Sequence, residues 1–267
     1  MSKSNVGAII EAGPQDWQII QQEAGYGQIS LSGRWAVEEE LSDIQVYVRV
    51  VREESGESVI PWQAAQHLPN QSWKIILKHI PAGGLYRVET CMAHADTGVA
   101  IEWAIRGDMI HHIGIGDLFV IAGQSNSAGY GKDTIYDPPE LGVHVLRNSG
   151  RWDLATHPLN DSTNTIHPVN MEIQNPGHSP YVHFGKLLKK DLGYPIGFLQ
   201  TALGGSHLAL WNPDEDGALY RNMIDIIGSQ GAKVRGVLWY QGCSDAVEDR
   251  CETYLHRFQD MVNFIRR

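Results

Sequence analysis

The chain contains the run LFVIAGQSN at residues 118–126, in which five apolar residues are followed by a glycine and three polar residues. A short, wholly apolar run is typical of a strand that is covered on both faces, as the strands of parallel sheets are. A glycine after such a strand permits a tight turn. The run therefore predicts an α/β domain in which Ser125 lies at the carboxyl edge of the sheet, where ligands of open α/β folds bind.

Two further strands and three helices are predicted after this run. Apolar segments at residues 196–199 and 234–240 alternate with helical patterns at residues 179–193, 218–227 and 252–267. This alternation is the signature of βαβ units and a parallel sheet. Residues 136–177 are rich in Pro, Asn and Asp and show little periodicity, so we predict a loop that surrounds the functional site.

The part of the chain before residue 107 has a different pattern. Apolar and polar residues alternate with a period of two, most clearly at residues 44–50, and turn signals such as PAGG at residues 81–84 separate the alternating segments. This pattern predicts short antiparallel strands, for which a small β-sandwich is the simplest architecture. We therefore expect two domains, a β-sandwich accessory domain at residues 1–110 and the α/β domain at residues 111–267.

The composition of the chain argues against several classes of partner. It has 21 Lys and Arg against 31 Asp and Glu, a net charge of −10, which provides no basic surface for nucleic acid or an anionic membrane. No apolar run approaches the roughly 18 residues of a membrane span, and the start of the sequence lacks a leader pattern. The three cysteines have no C-x-x-C spacing, so neither a disulfide framework nor a zinc site is expected. These features predict a cytoplasmic protein and leave the oligomeric state open.

Polar residues follow each of the three predicted strands of the α/β domain. Ser125 follows the first strand, and it is either a nucleophile whose own N–H faces an oxyanion or part of a polar turn. Gly204 and Gly205 follow the second, where an N–H donates to an oxyanion or the pair merely makes a turn. Gln241 follows the third and offers its amide as a donor or lies in solvent. Because the carboxyl ends of parallel strands share one edge, we expect Ser125, Gly205 and Gln241 to line one pocket.

Three motifs in this order carry a family resemblance. They are AGQSN at residues 122–126, LGGS at residues 203–206 with Trp211 following, and WYQGCSD at residues 239–245. Their order resembles that of the sialate O-acetylesterase and acetyl xylan esterase group, carbohydrate esterase family six, within the SGNH hydrolases. The resemblance covers about residues 115–267. It implies an SGNH-type α/β/α sandwich with a parallel sheet, acting on O-acetylated carbohydrates of sialate or xylan type.

The same resemblance implies the roles of individual residues. Ser125 is then the nucleophile that forms an acyl-serine intermediate, and no metal or organic cofactor is needed. The oxyanion hole consists of the Ser125 N–H, a glycine N–H for which Gly205 is preferred, and the Gln241 amide. Independently of the resemblance, residues in or beside the predicted site loops are candidates for binding the substrate, and they are Asn126, His178, Ser206, His207 and Asp245. Four aromatic residues are candidates for stacking on sugar rings, although a core position is favoured for the third: Trp152, Trp211, Trp239 and Tyr240.

The sequence departs from the pattern of this group in two places. Cys243 occupies the position after Gln-Gly where the group commonly has an acidic residue, so a carboxylate role there is lost or moved to Asp245. The resemblance implies that the base and its orienting acid belong to an Asp-x-x-His motif near the C-terminus, and no such motif follows the Gln-Gly block before Arg267. We therefore expect an α/β domain that is incomplete at its C-terminus, and a 267-residue form that is close to inactive and marginally stable.

Two other functions fit part of this pattern. The first is a non-catalytic carbohydrate-binding protein, in which the sandwich holds the sugar and the hydrolase domain remains as a scaffold without a base. The second is a lipase-like or thioester hydrolase on the same architecture, which the fold alone does not exclude. The Gly-Gly-Ser and Gln-Gly motifs favour the acetylesterases, and no pattern in the sequence resembles a long apolar acyl groove.

Overall fold

The structure, a computed structural model, describes residues 6–37, 44–95, 105–174 and 176–266. The fold is of the mixed α/β kind, with a large mixed sheet and few helices. The chain divides into two compact units, Met1–Gly116 and Asp117–Arg267. The domain assignment made from the sequence, with its boundary between residues 110 and 111, stays a prediction. Within the described ranges, no helix is both long and apolar enough to span a membrane.

The first unit is built from strands that form two sheets. In chain order the strands are β1 (Gly7–Ala12), β2 (Ile19–Gln21), β3 (Tyr26–Ala36), β4 (Ile44–Arg52), β5 (Ser58–Ala64), β6 (Gln66–Leu68), β7 (Ser72–Pro81), β8 (Gly83–His94) and β9 (Ile105–Gly123). One sheet has the order β1–β3–β7–β6, and its neighbours are all antiparallel. The other contains the antiparallel strands β5, β4, β8 and the first part of β9, with β2 parallel to β9.

The apolar side chains of both sheets form one core cluster. Alternate residues of β4, such as Val46 and Val48, are fully buried in this cluster together with Trp73 of β7. The Trp73 indole N–H donates to the Arg34 carbonyl at 3.0 Å, which satisfies the polar atom of the largest side chain in this core. The β-sandwich expected for this region stays a prediction, and β9 continues beyond Gly116 into the second unit.

The second unit has a five-stranded sheet with the last part of β9 near one edge. Its other strands are β10 (Val143–Leu146), β11 (Trp152–Leu154), β12 (Ile196–Gln200) and β13 (Gly236–Tyr240), and the order is β11–β10–β12–β9–β13. All neighbours are parallel except β11, which runs antiparallel to β10. The helices are α1 (Ser125–Ala128), α2 (Tyr181–Leu192), α3 (Ala218–Ser229), α4 (Glu248–Cys251) and α5 (Tyr254–Ile265).

Two of these strands correct the prediction of a three-stranded sheet. Strands β10 and β11 lie inside residues 136–177, which the sequence indicated to be a loop. All four residues of β10 are buried between the neighbouring strands, so β10 is an interior strand of the sheet. The run is only four residues long and lies in a segment rich in Pro, Asn and Asp, so periodicity could not distinguish it from a loop.

Candidate active site

The structure brings the ends of three parallel strands to one edge of the sheet. Strands β12 and β13 flank β9, so all three carboxyl ends face the same way. The Gln124 N–H donates to the Tyr240 carbonyl at 3.1 Å, and the Leu203 N–H donates to the Gly123 carbonyl at 3.0 Å. The loops that carry Ser125, Gly205 and Gln241 are therefore held together by main-chain hydrogen bonds just beyond the strands.

Ser125 is the first residue of α1 and has an accessible hydroxyl. Its side chain is half-buried, and among the described residues no group forms a hydrogen bond with its Oγ. Ser127, the serine just after the motif, contrasts with it, because Ser127 is buried and its Oγ bonds to the Ala122 carbonyl at 2.8 Å and the Tyr181 hydroxyl at 2.9 Å. As the first residue of a helix, Ser125 also has an N–H with no carbonyl to bind within α1. Asn126, the next residue, is exposed.

The two glycines after β12 differ in what their N–H groups do. The Gly204 N–H donates to Glu172 Oε1 at 2.7 Å, so it is already committed. For the Gly205 N–H, no acceptor lies within the described part of the chain, and Gly205 is exposed. Gly205 has φ +70°, a left-handed conformation that glycine adopts without penalty. These contacts favour Gly205 over Gly204 as an oxyanion donor.

The Gln241 amide is turned towards the protein. Its Nε2 donates to Asp245 Oδ2 at 2.5 Å and to the Ser206 carbonyl at 3.2 Å, which uses both amide hydrogens. Its Oε1 accepts from the Tyr254 hydroxyl at 2.8 Å. The physical reason is the buried carboxylate of Asp245, which needs donors because an unpaired buried charge is strongly unfavourable. This arrangement argues against the oxyanion role that the sequence suggested for Gln241.

Ser206 and Asp245 are structural groups in this site. Ser206 is buried, and its Oγ lies 3.2 Å from the Gly123 carbonyl and 3.1 Å from the Trp211 indole nitrogen, which donates to it. Asp245 is buried, and its Oδ2 also accepts from the Leu208 N–H at 2.8 Å. Burial and these internal partners argue against the direct contact with substrate predicted for both side chains.

Gln124 is a site residue that the sequence reasoning missed. Its Oε1 accepts from the Gly242 N–H at 3.0 Å and from the Ser244 N–H at 3.1 Å. The residue before the candidate nucleophile therefore fixes the loop after β13 to the end of β9. A polar residue in the turn was visible in the sequence, but its partners lie more than a hundred residues away, and no local pattern reports them.

His207 and His178 lie near these loops without a defined catalytic contact. His207 is half-buried and precedes the 3₁₀ turn Leu208–Leu210. The His178 carbonyl accepts from the Gly131 N–H at 2.9 Å, which places this residue against the segment that follows α1. The His178 ring stacks on the His157 ring at 4.2 Å between centroids, and its buried Nδ1 has no partner among the described residues. Their roles in substrate binding stay predictions.

His157 belongs to a buried ion-pair cluster. Its Nε2 lies 3.0 Å from Asp137 Oδ2, its Nδ1 accepts from the Ser179 N–H at 3.3 Å, and Lys186 pairs with the other oxygen of Asp137. Because both ring nitrogens are occupied, His157 is not free to act as a base. Burial lowers the pKa of His157 more than Asp137 raises it. Burial opposes ionisation of Asp137, but hydrogen bonds from Lys186 and His157 outweigh it and hold its pKa below the ordinary value.

The pKa shift of His157 predicts a loss of stability at mildly acidic pH. The folded state keeps the ring neutral, whereas the unfolded chain binds a proton as the pH falls below about 6.5. The free energy of unfolding therefore decreases as the pH decreases. His67 and His167, whose pKa values are also lowered by burial, act in the same direction. We expect His157→Gln to reduce the drop in thermal midpoint between about pH 7.5 and 5.5. The exposed His256→Gln is the control, and an equal reduction in both variants would contradict this account.

Glu172 is a second residue missed by the sequence reasoning. Its carboxylate accepts from the Gly204 N–H, from Asn160 Nδ2 at 2.9 Å and from the Tyr130 hydroxyl at 2.6 Å. Burial, together with the adjacent carboxylate, raises the pKa of Tyr130 far above its ordinary value. The phenol therefore stays protonated and serves as a donor.

The described residues contain no group of three or more His, Cys, Asp or Glu side chains arranged to hold a metal ion. The three cysteines are free thiols, and Cys243 is exposed in the turn after Gly242.

The chain is similar to several carbohydrate esterases. Residues 115–267 match the family model described as carbohydrate esterase, sialic acid-specific acetylesterase. A probable carbohydrate esterase of Arabidopsis thaliana is 29% identical in an alignment of 171 residues, and the match covers 56% of this chain and 62% of that protein. Human sialate O-acetylesterase is 23% identical in an alignment of 235 residues, and the match covers 74% of this chain and 43% of that protein.

The solved structure of a carbohydrate acetylesterase from Xanthomonas citri matches with a TM-score of 0.53 at 19% identity. The match covers 94% of this chain and 55% of that one, and at this identity it shows the fold alone. The chain thus spans only part of the length of each of these proteins. The family match contains all three strand-end motifs and extends over more than half of the chain. The chain therefore belongs to the sialic acid-specific acetylesterase family of carbohydrate esterases.

Proposed function

We propose that this chain removes O-acetyl groups from carbohydrates through an acetyl-serine intermediate on Ser125. The observation that carries the proposal is that two groups at neighbouring strand ends, the hydroxyl of the half-buried Ser125 and the N–H of Gly205, have no hydrogen-bond partner among the described residues. The nearby hydroxyls of Ser127 and Ser206 and the amide of Gln241 are instead held by the protein. Family membership supports the ester chemistry.

The proposed reaction has two steps. Ser125 Oγ attacks the acetyl carbonyl while a base takes its proton, and the tetrahedral oxyanion accepts hydrogen bonds from the Ser125 and Gly205 N–H groups. The C–O bond to the sugar then breaks, the sugar oxygen takes the proton, and an acetyl-serine remains. Water hydrolyses this ester by the same path, releasing acetate and restoring the serine. Gln241 joins the oxyanion hole only if its amide leaves Asp245, so the proposal rests on the two main-chain donors.

Among the described histidines, none forms a hydrogen bond with Ser125 Oγ, and His157 uses both ring nitrogens elsewhere. A positioned base contributes about 10²–10⁴-fold to a reaction of this kind. We therefore expect slow turnover from the 267-residue chain, with the acylation step limited by removal of the serine proton.

The surroundings of the site bear on the substrate. Of the aromatic candidates for sugar stacking, Trp152 and Trp211 are buried, so these two predictions are corrected. Trp239 is half-buried and packs edge-on against Trp211 at 5.3 Å, in keeping with the core position favoured for it. Tyr240 is 52% exposed at the end of β13, where its ring is available to a sugar face.

An assay on the 267-residue chain tests the proposed function. We expect slow release of acetate from O-acetylated sugars and from an aryl acetate, and a rate on the aryl octanoate at least about 10-fold lower. The measurement is free acetate by enzymatic assay and phenol by absorbance. Binding of the acetylated sugar without any acetate release would instead indicate a carbohydrate-binding protein. Equal rates on acetate and octanoate would indicate a lipase-like hydrolase.

A further inference from the structure

We propose that Glu172 is a positioning residue that holds the Gly204-Gly205 turn in the geometry of an oxyanion hole. This inference rests on the proposed function of Ser125 and Gly205. Glu172 lies in the segment between β11 and α2, and its single carboxylate connects three separate parts of the site. They are Tyr130 after α1, Asn160 in the same long segment, and Gly204 after β12.

The contact between Glu172 and Gly204 restricts the geometry of the turn. Glu172 Oε1 accepts the Gly204 N–H at 2.7 Å. The peptide that carries this N–H and the peptide that carries the Gly205 N–H share the Gly204 Cα, so fixing the first restricts the second. Restriction is needed because two adjacent glycines have the greatest conformational freedom of any pair of residues. With the Gly204 N–H bound, the Gly205 N–H is the donor left facing outward.

The contact between Gly204 and Glu172 requires a close approach of the turn to the carboxylate. A Cβ on Gly204 would lie 2.9 Å from Glu172 Oε2 and 3.1 Å from Tyr130 Cε2. Only glycine at this position lets the turn approach the carboxylate closely enough for the hydrogen bond. The Tyr130 hydroxyl donates to Glu172 Oε2 at 2.6 Å and would lie 3.3 Å from the same Cβ.

A chain of buried asparagine amides ends in a hydrogen bond to the Glu172 carboxylate. Asn222 donates to Asn170 at 3.2 Å, Asn170 to Asn148 at 3.1 Å, Asn148 to Asn160 at 2.6 Å, and Asn160 to Glu172 at 2.9 Å. Each amide donates in the same direction, towards Glu172, and such chains strengthen one another by polarisation. Asn160 also donates to the Ala202 carbonyl at 3.1 Å, which ties the chain to the start of the loop after β12. Glu172 takes part in none of the ion pairs between described residues, and the donors to its carboxylate are the Asn160 amide, the Tyr130 hydroxyl and the Gly204 N–H.

Three variants separate positioning from general stability. Glu172→Leu removes every acceptor, whereas Glu172→Gln keeps one oxygen for the Gly204 and Asn160 donors. Tyr130→Phe is the matched control, because it breaks a hydrogen bond to the same carboxylate and leaves the Gly204 contact in place. With the aryl acetate as substrate, we expect Glu172→Leu to lower kcat by at least about 10-fold with little change in KM, because orientation of the donor is lost. Glu172→Gln and Tyr130→Phe should stay within about threefold of the parent chain.

An NMR measurement keeps this inference separate from the proposed function. In ¹⁵N-labelled protein we expect the Gly205 amide resonance to shift or broaden in Glu172→Leu and to remain close to its original position in Glu172→Gln. The role of Glu172 is overturned if the Gly205 resonance is unchanged in Glu172→Leu. It is also overturned if Glu172→Leu and Glu172→Gln lose kcat equally. If the parent chain hydrolyses no ester at all, the proposed function fails, and the NMR result alone decides whether Glu172 positions the turn.

Discussion

Replacing Ser125 with alanine is expected to abolish the acetyl-protein that forms when the chain is incubated with an aryl acetate. The same change should lower kcat by at least about 10³-fold, because the proposed nucleophile is lost. The measurements are intact-protein mass spectrometry and initial rates of phenol release.

Ser127→Ala is the matched control for this variant. Ser127 belongs to the same short helix, but its hydroxyl is buried and bonds to the Ala122 carbonyl and the Tyr181 hydroxyl. We expect the control to lose about 1–2 kcal/mol of stability and to retain acetylation. If the Ser125→Ala protein is still acetylated at the original rate, the assignment of the nucleophile is wrong.

The second large effect is expected from Gly123→Ala. Gly123 has φ +124°, and a Cβ there would lie 2.4 Å from the Tyr240 carbonyl oxygen and 2.7 Å from its carbonyl carbon. The added methyl group therefore both strains the backbone and pushes β9 away from β13, directly before Gln124 and Ser125. We expect the free energy of unfolding to fall by about 3–5 kcal/mol, from backbone strain and steric overlap combined. Urea unfolding followed by circular dichroism measures this change.

Gly193→Ala separates the two contributions. Gly193 ends α2 with φ +76°, and nothing lies within 4 Å of the position its Cβ would take. This variant therefore reports the conformational penalty alone, about 1–2 kcal/mol. An equal loss of stability in the two variants would show that contact with Tyr240 contributes nothing, against the account given for Gly123.

The elements of the fold were predictable where the apolar pattern is long or repeated. The strand before Gly123 and the strands β12 and β13 were found from their apolar runs, and α2, α3 and α5 from their helical periodicity. Strands β10 and β11 were missed because runs of four and three residues carry too little pattern to outweigh a loop-like composition. Their burial comes from neighbours that are distant in the sequence, which a local pattern does not report.

The candidate site was predictable at the level of loops and less so at the level of side chains. The meeting of three strand ends follows from parallel pairing, so the positions of Ser125 and Gly205 could be inferred. The contacts of Gln241, Asp245 and Glu172 could not, because they join segments that lie far apart in the chain. Residue type indicated that Gln241 has an amide to donate, and only the fold shows that Asp245 takes it.

The two hydrogen bonds that Gln124 accepts from Gly242 and Ser244 have a consequence for motion. The loop after β13 cannot swing outward without breaking both bonds or pulling on the backbone next to Ser125. The amide protons of Gly242 and Ser244 should therefore exchange with solvent together, through openings that also separate β9 from β13. We accordingly expect Ser125 and this loop to open together on warming, in a single cooperative event, with the site geometry intact below that temperature.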